Sequence, residues 1–420
     1  MVEPEEESSF YKWFLVWVLF VVGALNYADR VVLTAMFPLL KADLGMTDLG
    51  MAGIGTVFLW SYALASPFAG VIGDKKSRRL LVIGCLSAWS LVMVATSFVT
   101  SDSQLLSTRF FLGLAEALYF PVCVALVSQF HDFRTRAFAI AVQSAGMGVG
   151  AISGGAYGGY VGVAFGWRTA VLTLGVFGLV LAVVCWFVIR KDRPAAVPAA
   201  SQTSPGGGGG FMQSIRSVVT VPLCLIMIAQ AMLISVGTWI FMNWLPLYFS
   251  QVFHLGLGSA GVAGNASLSV GAICGVLIGG WLSDRVARKS VARRLLMQAL
   301  LYAGSVPFLF LFMASNDFNY VAFSIFGFVV IRSLGSANEV PILCDSLPLT
   351  SRSTAMGLLN FANCICGGLG ILASGFLKAH IGLKTIFFLS SMLVVLAALL
   401  VFAGYRLALR TPAKATELNS

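Results

Sequence analysis

The sequence predicts an all-α membrane protein, with twelve transmembrane helices in two six-helix halves. Three observations predict it. The 420 residues are 58% hydrophobic and only 10% charged, with a mean hydropathy of +0.90, whereas a soluble chain carries about 25% charged residues. Apolar runs of about 20 residues, each long enough to cross a bilayer as a helix, recur along the whole chain. A polar stretch at 191–218, rich in Ala, Pro and Gly and ending in Gly206 to Gly210, divides those runs six and six.

The elements follow in order. Residues 1–12 form an acidic, charged tail. The first apolar run, 13–40, is too long for a signal-peptide core and ends without a small-residue cleavage site, so it reads as a retained helix. Runs two and three, 49–73 and 79–100, flank a short basic loop. Runs four and five, 104–130 and 136–162, are interrupted by Gly, Ser and charge, and 168–190 closes the first half. The stretch 191–218 is expected to be a flexible cytoplasmic linker. The second half holds runs at 219–250, 258–283, 294–314, 319–345, 354–378 and 383–405, followed by a tail at 406–420. The two bundles are therefore expected at 13–190 and 219–405.

The net charge of +10 is a topology signal rather than a nucleic-acid footprint. Of the 27 Lys and Arg residues, 20 fall on the loops and tails that share the side of the N-terminus, four on the other side and three within spans. Basic loops stay in the cytoplasm, so both termini are expected there. The eight cysteines all sit within apolar runs and read as free thiols packed as small hydrophobes. His131, His254 and His380 fall at helix ends or loops and form no metal-ligand set. The glycines between 146 and 159 have no preceding strand and no Lys-Ser/Thr ending, so they are no phosphate loop. Small residues at that spacing let membrane helices approach closely.

The halves echo each other. Gly70-Val-Ile-Gly-Asp74 precedes a basic cluster, and so does Gly280-Trp-Leu-Ser-Asp284. Arg134-Thr-Arg-Ala137 opens run five and Arg352-Ser-Thr-Ala355 opens run eleven. Arg109 stands seven residues before Glu116, and Arg332 seven before Glu339. Seven residues is about two helical turns, so each pair is expected on one helix face. Ions at bilayer depth face a cavity or a partner and are functional by default. Repeat-built membrane proteins with charges at their centre are transporters first, with substrate between the repeats.

These residues resemble the major facilitator superfamily from about residue 12 to 405. The loop GVIGDKKSRR is similar to its signature between spans two and three, with Ser77 where Gly is usual. Several pieces look like the anion:cation symporter family of sugar-acid and organic-anion permeases: Asn26-Tyr27-Ala28-Asp29-Arg30, Trp60-Ser61-Tyr62-Ala63, Arg109 to Glu116 continuing to Pro121, and Trp244-Leu-Pro-Leu-Tyr248. The Arg/Glu spacing alone is equally similar to spinster-type lipid transporters; Phe120-Pro121 and Trp244-Leu-Pro favour the anion family.

The resemblance implies roles, and each stands beside a plainer alternative. Adjacent helical residues point about 100° apart, so Asp29 and Arg30 need different partners unless they close a helix end as a local pair. By resemblance Asp29 pairs with Arg109, and Arg30 points at a substrate carboxylate, a task that suits a planar, bidentate guanidinium. Glu116 is the expected proton carrier, or else a structural carboxylate bonded to a neighbouring helix. Tyr27, Tyr62, Asn360, Asn363 and Gln143 are candidates for binding substrate hydroxyls, or else helix–helix contacts. Gly70, Asp74, Arg78, Arg79 and Asp284 are gate or structural elements, as are Arg332 and Glu339 if they do not repeat the proton chemistry of the first half.

The resulting expectation is a proton-coupled symporter of an organic anion working by alternating access. It is no enzyme and needs no cofactor or metal. Its partners are a small organic-anion substrate, protons and the lipid bilayer, with no nucleic acid, and it acts as a monomer in a bacterial inner membrane or a plasma membrane. The rival is a proton-coupled exporter of lysolipids or drugs of the spinster or multidrug kind.

Overall fold

The computed structural model describes residues 9–75, 77–132, 135–190, 211–286 and 290–410. The described residues fold into helices, with no strand among them. Helix α1 spans Ser9–Ala35 and α2 Phe37–Leu44. The first apolar run thus ends earlier than expected. Pro38 has no N–H to donate to the Thr34 carbonyl, and the chain turns at Met36 before α2 begins. Next come α3 (Asp48–Lys75), α4 (Arg78–Thr96), α5 (Asp102–Glu116), α6 (Tyr119–Phe130), α7 (Arg136–Phe165) and α8 (Trp167–Val188). They are followed by α9 (Phe211–Val219), α10 (Pro222–Val252), α11 (Leu257–Val286), α12 (Val291–Ala314), α13 (Phe318–Ser336), α14 (Glu339–Asp345) and α15 (Leu349–Arg410).

Eleven helical segments among the described residues are long and apolar enough to cross a membrane. The eleventh, Thr354–Arg410, is 57 residues long, where one crossing needs about 20. Gly382 divides it with φ 72° and ψ 160°, a conformation open to glycine and strained for any residue with a Cβ.

Two runs expected to be continuous are broken at matching places. The chain leaves the helix at Ala117–Leu118 between α5 and α6, and at Ala337–Asn338 between α13 and α14. Each break lies four residues before a proline, Pro121 and Pro341. A proline withholds the hydrogen bond that the carbonyl four residues earlier would accept, and its ring crowds that carbonyl. A third departure falls in the expected linker, where α9 is a helix that packs against α15. Residues 191–210 lie outside the described residues.

The chain also groups differently from two consecutive halves. One compact unit comprises Met1–Pro198 with Met242–Ser269, and the other Ala199–Phe241 with Val270–Ser420. Glycine placement in the first unit supplies the reason. Gly155 and Gly159 of α7 lie against Gly261 and Gly258 of α11, so the two backbones touch and the start of α11 joins this unit. Phe37 of α2 lies edge-on to Trp244 of α10, with ring centroids 5.4 Å apart.

A second glycine row on α7 seats α1. Gly146, Gly150, Gly154 and Gly158 face Phe20, Ala24, Ala28 and Val32 in turn. A Cβ at Gly158 would sit 2.6 Å from the Val32 carbonyl oxygen, and one at Gly150 would overlap the Ala24 carbonyl outright. The row holds α1 at backbone contact with α7, which fixes the height and rotation of Asp29 and Arg30. The outer faces carry exposed apolar side chains such as Phe111, Phe187 and Val183, as a protein solvated by lipid does.

Candidate functional site

The first unit collects four ionisable side chains from two helices, Asp29 and Arg30 on α1 and Arg109 and Glu116 on α5. Arg109 is 1% exposed, and so are Asp29 and Glu116. The pairing departs from the expected one. Arg30 Nε donates to Glu116 Oε2 at 2.7 Å. The Arg30 guanidinium also lies over three rings, Tyr27 at 4.7 Å and Phe58 and Tyr62 at 5.0 Å each. Arg30 is therefore not a lone cation facing open space: an ion pair and an aromatic cage hold it. Aromatic faces attract cations, and guanidinium groups stack on them well. The side chain keeps 11% of its surface exposed, so one edge stays accessible.

Arg109 stands beside Asp29 without a direct carboxylate bond. Its Nη1 donates to the backbone carbonyl of Asp29 at 3.4 Å, and its Nη2 to Thr96 Oγ1 at 3.1 Å and Met93 Sδ at 3.5 Å. Neither carboxylate oxygen of Asp29 has a hydrogen-bond partner among the described residues, although Arg109 and the Trp89 indole adjoin it. The Glu116 Oε1 atom is likewise unbonded, with the buried Asn26 amide beside it. The site thus holds two carboxylates and two guanidinium groups, with three carboxylate oxygens unsatisfied. Buried polar atoms without partners are uncommon and mark places where a proton, a ligand or a conformational change completes the bonding.

The other expected residues fall in different settings. Tyr27 and Tyr62 are half-buried around Arg30. Gln143 is fully buried, and its Nε2 donates to Tyr119 Oη at 3.5 Å while Tyr119 donates to the Leu19 carbonyl at 3.0 Å. It braces the contact between α1, α6 and α7, and its Oε1 has no hydrogen-bond partner among the described residues. In the second unit Asn360 is exposed, and the Asn363 carbonyl accepts a bond from Ser235 Oγ at 2.6 Å. Gly70 and Asp74 lie in the last turns of α3, and the Asp74 side chain lies outside the described residues. Arg78 donates to the Ala125 carbonyl at 3.2 Å, and Arg79 bonds the Trp186 carbonyl and stacks over that indole. Both tie helix ends within the first unit. Asp284 is largely exposed, with Arg294 at 3.8 Å.

Arg332 and Glu339 keep about a two-turn spacing, because Ala337 and Asn338 between α13 and α14 hold right-handed helical angles, but the two form no ion pair among the described residues. Arg332 Nη1 donates to Thr238 Oγ1 at 2.7 Å, whereas Glu339 Oε1 accepts from Gln230 Nε2 at 2.9 Å. Gln230, Tyr302 and Gln298 escaped the sequence reading, although each is a hydrogen-bonding side chain inside an apolar run. So did Phe58, Trp89 and Thr96, whose positions show only once the helices are assembled.

The family model described as Major Facilitator Superfamily matches residues 19–370. The chain belongs to that superfamily. It is a multi-pass integral membrane transporter with a small-molecule substrate, and not an enzyme. A protein of Mycolicibacterium smegmatis named MFS-type efflux pump is 27% identical over 370 residues, covering 87% of this chain and 84% of its own. The hexuronate transporter of Bacillus subtilis is 25% identical over 410 residues, covering 94% and 95%. Among solved structures, a bacterial homologue of the human lysosomal transporter Spinster, inward-facing and unoccupied, superposes with a TM-score of 0.83 at 18% identity. That match covers 97% of this facilitator chain and all of the other, and it shows the shared fold.

Proposed function

We propose that this chain is a secondary active transporter that carries an organic anion, a sugar acid or another carboxylate, in symport with protons by alternating access. The Arg30–Glu116 pair carries the reading. A guanidinium at this depth suits a substrate carboxylate, because it binds bidentately and never loses its charge. In the structure Glu116 occupies it. A proton on Glu116 removes that competing charge and leaves Arg30 for the substrate, so proton and anion load together. Release of the proton restores the internal pair and expels the anion. Asp29, beside Arg109, is the second carboxylate able to take a proton. Tyr27, Phe58 and Tyr62 wall the site with rings suited to a sugar face, and the tyrosine hydroxyls are candidates for its hydroxyl groups.

The same reading takes α15 as two crossings divided at Gly382, which makes twelve spans in two sets of six. Both termini then lie in the cytoplasm of a bacterial inner membrane or plasma membrane, and the protein works as a monomer. The hexuronate transporter among its relatives supports the anion class. The test is uptake into proteoliposomes under an imposed pH gradient, with labelled sugar acids, dicarboxylates and lysolipids in parallel. Accumulation of a carboxylate that collapses with the pH gradient and ignores replacement of Na⁺ by K⁺ is expected. Uptake that follows Na⁺ and ignores pH refutes proton coupling.

A second reading, proton-coupled export of a lysolipid or drug, draws on the efflux pump among the relatives and on the Spinster-homologue fold. Competition separates the two. Lysolipid that displaces the labelled sugar acid, or is carried in its place, favours export.

A further inference from the structure

The second unit contains a carboxylate that the coupling scheme above does not use. Glu339 opens α14, directly after the break at Ala337–Asn338. It ends a chain of hydrogen bonds whose directions follow from the chemistry of each group. Gln298 Nε2 donates to Tyr302 Oη at 3.1 Å, and Tyr302 Oη donates to Gln230 Oε1, also at 3.1 Å. Gln230 Nε2 then donates to the Met227 carbonyl at 2.9 Å and to Glu339 Oε1 at 2.9 Å. Gln298, Tyr302 and Gln230 are fully buried. Both amide hydrogens of Gln230 are in use, one on the Met227 carbonyl and one on Glu339, so the donors from Gln298 onward lead to Glu339.

The cation that the sequence set two turns away is engaged elsewhere. Arg332 bonds Thr238 and forms no ion pair with Glu339 among the described residues. The charged or titratable groups that act on Glu339 are therefore few. Arg332 faces it from α13, Tyr302 of α12 lies one link along the chain, and α10 offers the neutral Gln230. No titratable group of α15 or of α14 itself acts on it among the described residues. A carboxylate inside the membrane with one oxygen anchored by an amide, and with no ion pair, is neutralised most simply by a proton.

We propose that Glu339 is a second protonation site of the transport cycle, held in place by the Gln298–Tyr302–Gln230 chain. Oε1 keeps the Gln230 N–H and becomes the carbonyl oxygen. The proton, taken from hydronium, adds to Oε2 and leaves water behind. The site is separate from Glu116 and does not depend on the Arg30 exchange.

Infrared difference spectroscopy of the full-length protein in lipid, between alkaline and acidic buffer, tests this with H⁺ as the only ligand. A protonated carboxyl gives a carbonyl-stretch band that a carboxylate lacks. The expected result is a band that grows as pH falls, disappears in Glu339→Gln and persists in Glu116→Gln. Gln230→Leu should move it to higher frequency, because the carbonyl loses its donor. A Glu339→Gln difference spectrum superimposable on the wild type overturns the proposal, since Glu339 then keeps one protonation state throughout. Should Glu339→Gln fail to fold, Gln230→Leu decides, and an unmoved band overturns the proposal. A missing Glu116 band beside a present Glu339 band would sink the Arg30–Glu116 scheme and leave this site standing.

Discussion

Glu116→Gln isolates the charge that competes for Arg30. Gln keeps the size of Glu and an oxygen able to accept from Arg30 Nε, now 2.7 Å from Glu116 Oε2. What it removes is the negative charge, in a side chain that is 0% exposed against an Arg30 side chain that is 11% exposed. A hydrogen bond to a charged group contributes roughly 1.5–3 kcal/mol, and Arg30 keeps one to Gln, so losing the carboxylate charge moves the pair from the upper towards the lower end of that range. The variant therefore releases Arg30 more easily by about 1 kcal/mol, which is roughly a fivefold gain in anion affinity at alkaline pH. Wild-type affinity should weaken as pH rises, approaching about tenfold per pH unit once Glu116 is ionised, whereas the variant should be flat. Calorimetric titration of the solubilised protein across pH, with the anion that the wild type accumulates, reads both effects. Counterflow in proteoliposomes at equal pH should survive, and pH-driven accumulation should vanish. A variant that keeps the wild-type pH slope and accumulates to the wild-type level would refute the reasoning.

Other perturbations test the remaining parts. Arg30→Ala should lose anion binding by about thirtyfold or more, since truncating a buried charge-assisted pair costs roughly 2–5 kcal/mol; wild-type affinity by calorimetry would remove Arg30 from the site. Gly150→Ala places a Cβ on the Ala24 carbonyl and should destabilise the protein by about 1–3 kcal/mol through overpacking. Its melting temperature in detergent should fall, while Gly84→Ala, where nothing lies within 4 Å, should leave it unchanged or raise it. Arg168→Ala removes the Asp43 contact at 2.5 Å between side chains that are 38% and 43% exposed, an effect of at most about 1 kcal/mol. Hydrogen bonds from Arg168 and then Trp167 hold the Asp43 carboxyl below its ordinary range. That contribution is complete above the unfolded value of about 3.9 and disappears as pH falls through the folded one. The melting-temperature gap between Arg168→Ala and the wild type should therefore narrow in acid to the share left by the Arg168 bond to the Val99 carbonyl, and a gap that stays constant down to about pH 3 would contradict the assignment.

The apolar runs made the helices legible because a bilayer demands long, uncharged segments and little else resembles them. The breaks at Ala117 and Ala337 fall four residues before Pro121 and Pro341, but Pro67, Pro246 and Pro307 lie inside continuous helices, so a proline alone does not announce a break. The spacing of Arg332 and Glu339 likewise gave no sign of the Thr238 and Gln230 side chains that engage them. In the first unit α5 runs unbroken from Asp102 to Glu116, and the four charges do gather. Which guanidinium takes which carboxylate was not legible. Arg30 and Glu116 are 86 residues apart, and their meeting depends on how α1 is rotated against α7 by the Gly146–Gly158 row. The glycines could be read as a close-packing seam, but not the partner helix or its register. The α7–α11 contact was not legible for a similar reason, because it is made by backbone at Gly155 and Gly159, and glycine carries no chemical label of its partner.

The claim that anion and proton exchange at Arg30 is tested most directly by counting protons on binding. Calorimetric titration of the purified transporter with its accumulated anion, repeated in buffers of different ionisation enthalpy, gives the number of protons taken up per anion bound. At a pH where Glu116 is ionised, the exchange predicts uptake of about one proton per anion, falling to zero in Glu116→Gln. Anion binding with no proton taken up by the wild type would mean that Arg30 binds the substrate without displacing Glu116, and the coupling scheme would fail.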